Sequence, residues 1–204
     1  VVGAYGIDDN GSESGSVFVF KKTGETWNQQ QKLLSSDITT SDYFGYSVSI
    51  DGDYIAIGAK FNDDTQDNSG SVYIFKRNGN SWSQQQKLVA SDPKTNDNFG
   101  NSVKINGNKV IVGSYLADYV PNNSGAAYIF KRSNNDWTQE KKIVSKDIAP
   151  NDQFGISVGL YDSYALVGSN YNDDTATNSG SAYIFNFTRK LSIMNITGTL
   201  NNQA

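Results

Sequence analysis

Phe44-Gly45-Tyr46-Ser47-Val48 begins a segment that the chain repeats several times. The segment continues through Tyr54-Ile55-Ala56-Ile57-Gly58-Ala59 and Ser69-Gly70-Ser71-Val72-Tyr73-Ile74-Phe75, and it closes with Ser81-Trp82-Ser83-Gln84-Gln85-Gln86-Lys87-Leu88. The period is 55 residues, because Phe44-Gly45 returns as Phe99-Gly100 and as Phe154-Gly155. A fixed period of this kind indicates one supersecondary unit that is copied and stacked.

Other positions of the segment form rows with the same period. The rows are Gly3, Gly58, Gly113 and Gly168; Gly15, Gly70, Gly125 and Gly180; and Trp27, Trp82 and Trp137, with Ser192 at the fourth position. They divide residues 1–187 into a partial unit at 1–43, full units at 44–98 and 99–153, and a partial unit at 154–187. Residues 188–204 form a tail of different character. Its segment Leu191–Ile196 alternates in polarity, and is either one more strand or the start of another fold.

Each unit reads as four short strands separated by turn signals. Asp51-Gly52-Asp53 and Asn78-Gly79-Asn80 are such signals, and Asn78-Gly79 and Asn106-Gly107 suit tight hairpins, because both residue types tolerate a positive φ. The strand Val72–Phe75 is apolar on both faces, so a neighbouring layer must cover each face. We therefore predict an all-β fold, a β-propeller of four-stranded antiparallel blades. About three and three-quarter repeats are present, which makes a partial ring.

Composition excludes several classes of protein. Hydrophobic residues make up 37% of the 204 residues and charged residues 19%, and the net charge is −4. Without a basic stripe we expect no nucleic-acid partner, and without a long apolar run we expect no membrane insertion of this segment. The chain has no cysteine and no histidine, so it can have no disulfide, no thiolate site and no imidazole base.

The repeated elements resemble the FG-GAP repeat. The resemblance rests on Phe-Gly-Xaa-Ser-Val, on Gly-Ala after the second strand and on Ser-Gly-Ser-Val-Tyr-Ile-Phe, and it covers about residues 1–187. The proline that usually follows Gly-Ala is absent, and the residues there are Tyr5, Lys60, Tyr115 and Asn170. The resemblance implies a propeller like the head of integrin α subunits, commonly of seven blades. Because Val1–Ala4 aligns inside a repeat, we expect the chain to be a fragment or a processed product.

One acidic row offers a metal site. Asp8, Asp63, Asp118 and Asp173 share one position in the loop between the second and third strands. The resemblance implies that Ca²⁺ is the cofactor of such loops, through an Asp-Xaa-Asp-Xaa-Asp-Gly pattern from which this sequence departs. The candidate ligands are Asp8, Asn10, Glu13, Asp63, Thr65, Asp67 and Asp173, since alternate oxygen side chains suit a hard cation. The loop of Asp118, Val120 and Asn122 is a poor site. The alternative is a structural Asx-turn in each loop.

The other repeated polar and aromatic residues also have two interpretations each. Asp37, Asp92 and Asp147, and five residues later Asp42, Asp97 and Asp152, are predicted to cap turns; the alternative is a ligand rim. The three tryptophans are predicted to pack against blade edges; the alternative is a glycan-stacking array. The glutamine runs 29–31 and 84–86 are predicted to be solvated on an exposed outer strand, and the alternative is lateral assembly.

Function follows from the resemblance more than from any single residue. Sequons at Asn10, Asn122, Asn186 and Asn195 are glycosylation candidates and favour an extracellular or cell-surface location. The leading hypothesis is a non-enzymatic binding or adhesion scaffold for a protein or glycan ligand. Because every acidic pair is repeated, we predict no catalytic residue. The alternatives are a structural subunit of a larger assembly, completed by further blades of the chain or by another copy, and a propeller enzyme.

Overall fold

A computed structural model of the protein describes residues 1–117, 123–173 and 176–187, and the strand at 194–195. All regular structure in these residues is β-strand, arranged as four antiparallel sheets. Among the described residues there is no helix able to span a membrane. The prediction of an all-β fold built from consecutive antiparallel blades is therefore confirmed.

The strands follow one another in each sheet as they do in the chain. The first sheet contains β1 (Val2–Ala4), β2 (Ser16–Thr23) and β3 (Thr26–Leu33). The second contains β4 (Phe44–Asp51), β5 (Tyr54–Ala59), β6 (Ser71–Asn78) and β7 (Ser81–Leu88). The third contains β8 (Ser102–Asn106), β9 (Lys109–Ser114), β10 (Ala126–Ser133) and β11 (Asp136–Ile143). The fourth contains β12 (Ser157–Tyr161), β13 (Tyr164–Ser169), β14 (Ser181–Asn186) and β15 (Met194–Asn195).

The fourth sheet decides between the two interpretations of the tail, in which Leu191–Ile196 is either one more strand or the start of another fold. Met194 lies opposite Ile184 and Asn195 lies opposite Tyr183, so a two-residue strand occupies the outer position of the sheet. Pairing needs only backbone N–H and C=O groups, which any residue other than proline supplies in full, so a strand can form there without the repeat's side chains.

Three apolar cores lie between the four sheets. The first joins Val17, Val19 and Leu33 to one face of the second sheet, and the second joins the opposite face of that sheet to the third. The third core joins Ile129 and Ile143 to the fourth sheet. Every residue of β5 is buried, whereas exposed and buried residues alternate along Tyr164–Val167 of β13. In the inner sheets, strands that are apolar on both faces are thus covered on both faces.

Adjacent sheets approach each other most closely where each Phe-Gly element begins an innermost strand. Bridges link Gly15 to Phe44, Gly70 to Phe99 and Gly125 to Phe154, and in each pair the strand segments run parallel. The Phe99 N–H donates to the Ser69 carbonyl at 2.9 Å, and the other two bridges contain the same bond. A β-carbon on Gly113 would lie 1.9 Å from the Gly155 carbonyl oxygen. The backbones of neighbouring sheets therefore leave no room for a side chain at this position.

This close approach predicts that Gly113→Ala destabilises the protein strongly. The added methyl group would overlap a backbone carbonyl that is itself fixed in a sheet, and we expect the free energy of unfolding to fall by about 3 kcal/mol. Urea denaturation followed by tryptophan fluorescence measures the change.

Gly168→Ala is the matched control. Gly168 occupies the same position in the fourth sheet. Its β-carbon would meet the Ser157 hydroxyl, just as β-carbons on Gly58 and Gly113 would meet the Ser47 and Ser102 hydroxyls. It would meet no carbonyl group of another sheet. We expect a loss of less than about 1 kcal/mol, since a side-chain hydroxyl can rotate away. Equal losses in the two variants would contradict the proposed contact.

Candidate functional site

The array of sheets has two different ends. At the hairpin end, short turns such as Asp51-Gly52-Asp53 join neighbouring strands of one sheet. At the loop end lie the loops between second and third strands and the connections from one sheet to the next, including residues 5–15, 34–43, 60–70 and 89–98. The candidate ligands for Ca²⁺ and both other aspartate rows lie at the loop end.

The acidic row caps the loops between second and third strands. The Asp8 carboxylate accepts the N–H of Glu13 at 2.8 Å, Asp63 accepts that of Asn68 at 2.6 Å, and Asp173 accepts that of Asn178 at 2.5 Å. Glu13, Asn68 and Asn178 all have φ between 51° and 56°, the left-handed region. Each aspartate therefore holds a residue that adopts a strained backbone conformation, as the Asx-turn interpretation predicts.

The other candidate ligands also have local partners. The backbone N–H of Asn10 donates to the Ser14 hydroxyl at 3.0 Å, and the Thr65 and Ser69 hydroxyls share a hydrogen bond of 2.6 Å. The Asp67 carbonyl accepts the N–H of Asn96 in the next connection at 2.8 Å. No group of three or more acidic side chains in the described part of the chain is arranged to hold a metal. The Ca²⁺ site remains a prediction.

Several candidates cannot be placed, or are placed only by their backbone. Asp118, Val120, Asn122 and Thr175 lie outside the described residues. Of the sequons, Asn10 is exposed at the loop end, Asn186 is half-buried at the end of β14 opposite Tyr164, and Asn195 lies in β15. Glycosylation at these positions remains a prediction.

The buried aspartate row closes the turn before each Phe-Gly element. The carboxylate of Asp42 accepts the N–H of Thr39 at 2.6 Å, and Asp97 and Asp152 accept the N–H three residues before them in the same way. All three side chains are almost fully buried. Burial raises the pKa of the Asp42 carboxyl above its ordinary value. These contacts confirm the capping interpretation.

The exposed aspartate row ties each connection to the sheet that follows. Asp92 accepts the Tyr128 hydroxyl at 3.1 Å and pairs with the Lys142 ammonium at 2.7 Å, and Asp37 pairs with Lys87 at 2.9 Å. Asp147 accepts the Tyr183 hydroxyl at 3.0 Å. Because burial raises the pKa of Tyr128, and the Asp92 carboxylate raises it further, this hydroxyl stays a donor.

The glutamine runs are not simply solvated. The Gln86 side-chain amide donates to the Trp137 carbonyl and accepts the Trp137 N–H, both at 2.8 Å, and Gln31 makes the same pair of bonds to Trp82. A primary amide has the same donor and acceptor as a peptide unit, so it pairs with the bare edge of the next sheet's outer strand. The prediction of solvation is wrong for these two residues, because the position of that edge depends on how the sheets stack.

The tryptophans confirm the packing interpretation only where a preceding sheet exists. Trp82 and Trp137 are 5% and 2% exposed, whereas Trp27 in the first sheet is 65% exposed. Val2, on the same outward face, is also exposed, although the equivalent Ile57 is fully buried. The first sheet therefore presents an uncovered apolar flank.

The fourth sheet presents the opposite flank. Leu166 is 46% exposed, whereas Ala56 at the equivalent position of the second sheet is fully buried. A cavity of about 490 Å³ opens on this face and is lined mainly by Tyr161, Tyr164, Leu166 and Ile184. The two flanks are therefore complementary, because they are copies of the two kinds of face that pack together in each of the three inner cores.

A cluster of aromatic side chains at the loop end is not repeated along the chain. We call it the aromatic patch, and it comprises Tyr5, Tyr43, Tyr46, Lys60 and Phe61. The Tyr5 ring stacks on Tyr43 and tilts against Tyr46, with centroids 5.3 Å apart in both pairs. Phe61 meets the Tyr43 ring edge-on at 4.9 Å. The rings of Tyr5 and Tyr46 remain exposed to solvent, so the patch has an open apolar surface.

Lys60 lies among these rings. Its ammonium is 3.7 Å from the centroid of Tyr46 and 4.6 Å from that of Phe61, within the range of cation–π attraction. The residue is only 9% exposed. Among the described residues, no carboxylate pairs with it and no group accepts a hydrogen bond from it.

Tyr43 holds an unfavourable backbone conformation in this patch. Its φ is 59°, and the equivalent residues Asn98 and Gln153 also have positive φ. Asparagine tolerates this region, but a bulky tyrosine there costs of order 1 kcal/mol or more. Sequence reasoning missed the patch, although one signal was present: Tyr5 and Lys60 stand where the repeat usually has proline.

Comparison with known families supports the repeat assignment. A model of the FG-GAP repeat matches residues 27–75, 82–130 and 137–185. Each match begins with the outer strand of one sheet and ends with the third strand of the next, so the sequence repeat spans two sheets. Among curated proteins, none matches the chain.

The acidic loops lead to a prediction about Ca²⁺. If the loops of Asp8 and Asp63 bind the ion, millimolar Ca²⁺ should raise the melting temperature over that in chelator. Binding to the native state alone stabilises it by about 2.7 kcal/mol at a hundredfold excess over Kd. Thermal denaturation of the chain and of Asp63→Asn in both buffers measures the effect. Superimposed curves for the unsubstituted chain would leave the Asx-turns as the role of these residues.

Proposed function

Since the chain belongs to the FG-GAP repeat family, we propose that it is a non-enzymatic binding scaffold that acts in adhesion, outside the cell or at the cell surface. The ligand is a protein or a glycan held at the loop end. Absence of histidine and cysteine from the whole chain supports a non-catalytic role, since these residues supply the commonest general bases and nucleophiles.

One observation carries this proposal. The described polar residues that recur along the chain largely serve the framework: Gln86 and Asp92 bond to the following sheet, and Asp97 closes the turn before it. The aromatic patch differs, because of its five side chains only Tyr5 recurs in the repeat, as Tyr115, and because two of its rings face solvent. Exposed aromatic clusters on a rigid framework are typical of binding sites, which gain affinity when little order must be imposed on binding.

Adhesion of the labelled chain to surfaces coated with glycoproteins tests this proposal. We expect binding that saturates, and that falls at least about tenfold in the double variant Tyr5→Ala/Tyr46→Ala, because a buried aromatic contact contributes about 1.4 kcal/mol or more. The control is Tyr161→Ala, an exposed tyrosine on the fourth sheet.

The outcomes distinguish the site from the function. Adhesion that Tyr161→Ala reduces as strongly as the patch variant would move the site away from the loop end. A chain that adheres to none of the coated surfaces, although circular dichroism shows it to be folded, would contradict the binding function.

A second candidate function is a structural subunit of a larger assembly, and the two uncovered flanks favour it. The outward face of the first sheet carries the same repeat positions as the buried face with which the second sheet packs against the first. The outward face of the fourth sheet carries the same positions as the buried face with which the third sheet packs against the fourth. Covering a few hundred Å² of such surface stabilises by roughly 10 kcal/mol at about 25 cal/mol per Å². The cover would be further blades of the same repeat, in the same chain or in another copy.

Sedimentation of the 204-residue chain tests the assembly. At micromolar concentration we expect species heavier than the 22.3 kDa monomer, because the two flanks are complementary. Leu166→Lys should shift the distribution towards monomer by burying a charge in the contact. Gln66→Lys, which adds the same charge in an exposed loop, should not. A folded monomer at all concentrations would contradict self-assembly.

A further inference from the structure

We infer that the aromatic patch binds a saccharide that ends in an acidic sugar, with the sugar stacked on Tyr5 and Tyr46 and its acidic group directed to the Lys60 ammonium. This inference rests on the proposed binding function and names the ligand class of the same site. Three features of the patch support it: the unpaired cation, the exposed rings and the charge around them.

Lys60 is the reason to expect a negatively charged group on the ligand. A lysine that is 9% exposed has lost most of its hydration, and such a charge is usually paired with a carboxylate. Here the described surroundings supply only aromatic faces, at 3.7 Å and 4.6 Å. The ammonium is not among the fully buried unpartnered polar atoms of the described chain, so it retains contact with solvent.

The exposed rings of Tyr5 and Tyr46 are the reason to expect a flat ligand with apolar faces. Tyr5 is 45% exposed, and its ring lies beside that of Tyr46, with centroids 5.3 Å apart and planes inclined by 52°. One sugar ring can therefore stack on either tyrosine while its edge contacts the other. Pyranose rings present C–H groups on one face and hydroxyl groups at the edge, which match a tyrosine ring and its phenolic oxygen. A free inorganic anion would use Lys60 but would leave this surface uncovered.

The surrounding charge limits the ligand to a single acidic group. Glu13 lies next to the patch, since its backbone carbonyl accepts the N–H of Tyr43 at 3.2 Å. Burial raises the pKa of Tyr43, and the Glu13 carboxylate raises it further. Asp8, Asp63 and Asp64 are exposed at the same loop end, and the chain carries a net charge of −4. A long polyanion would be repelled by these groups, whereas one acidic sugar brings its charge only to Lys60.

Titration with three small saccharides that share a lactose core tests the inference. The probes are lactose, lactose capped with sialic acid and lactose carrying a sulfate ester, measured by calorimetry. We expect the two charged probes to bind at least tenfold more tightly than lactose, and to weaken as salt is raised because the attraction is electrostatic.

Two variants of the chain link binding to the patch. Lys60→Met keeps the length and apolar stem of the side chain, and we expect it to remove the preference for the charged probes. Tyr5→Ala removes an exposed ring and should weaken all binding without unfolding the protein. Lys146→Met and Tyr171→Ala remove an exposed lysine and an exposed tyrosine elsewhere, and should leave binding unchanged.

Three results would overturn the inference. They are equal affinity for lactose and the charged probes, a charge preference that survives in Lys60→Met, and tighter binding of a peptide that carries sulfated tyrosine than of any saccharide. None of these results decides the outcome of the adhesion experiment under the proposed function, since adhesion through another ligand does not depend on Lys60.

Discussion

The whole array depends on how closely one sheet's backbone approaches the next at the Phe-Gly element. A β-carbon on Gly3, Gly58 or Gly113 would lie within 2.0 Å of the next sheet's carbonyl oxygen. A hydrogen bond from the phenylalanine N–H to the preceding sheet then fixes the register, and the phenylalanine ring fills the core between the two sheets. Because this contact is between backbones, it fixes the distance between sheets wherever it occurs, and the side-chain contacts between them depend on that distance.

That fixed distance explains why so many repeated polar residues serve architecture. The amide of Gln86 pairs with the backbone of Trp137, and the carboxylate of Asp92 pairs with Lys142, each across a boundary between sheets. Such bonds form in the same geometry at each boundary only when the sheets stand at the same separation. A residue type that recurs with the 55-residue period is therefore expected to serve the framework, by joining sheets or by closing turns, and a departure from the period is where recognition of a ligand is to be sought. Lys60 and Tyr43 are departures of this kind, and they meet in the aromatic patch.

The two end sheets show what the inner sheets gain from stacking. Trp27 and Leu166 occupy positions that are buried elsewhere, yet both are substantially exposed. The same sequence pattern thus has opposite exposure at the ends and in the middle of the array. An apolar residue on a strand indicates that another surface must pack against it, but it does not indicate which surface does so.

The sequence by itself determined the period, the strands and the all-β class, because strand polarity and turn residues are local properties that repeat with the chain. It also placed the capping aspartates, since a carboxylate next to a turn acts on backbone groups only a few residues away, as Asp42 does on Thr39. Only the tertiary structure decided that Gln31 and Gln86 join neighbouring sheets, that β15 completes the fourth sheet, and that Tyr5, Tyr43 and Lys60 form one surface. The partners in these contacts are far apart in the chain, Gln86 and Trp137 by 51 residues, and they meet because stacked sheets bring the ends of different strands together.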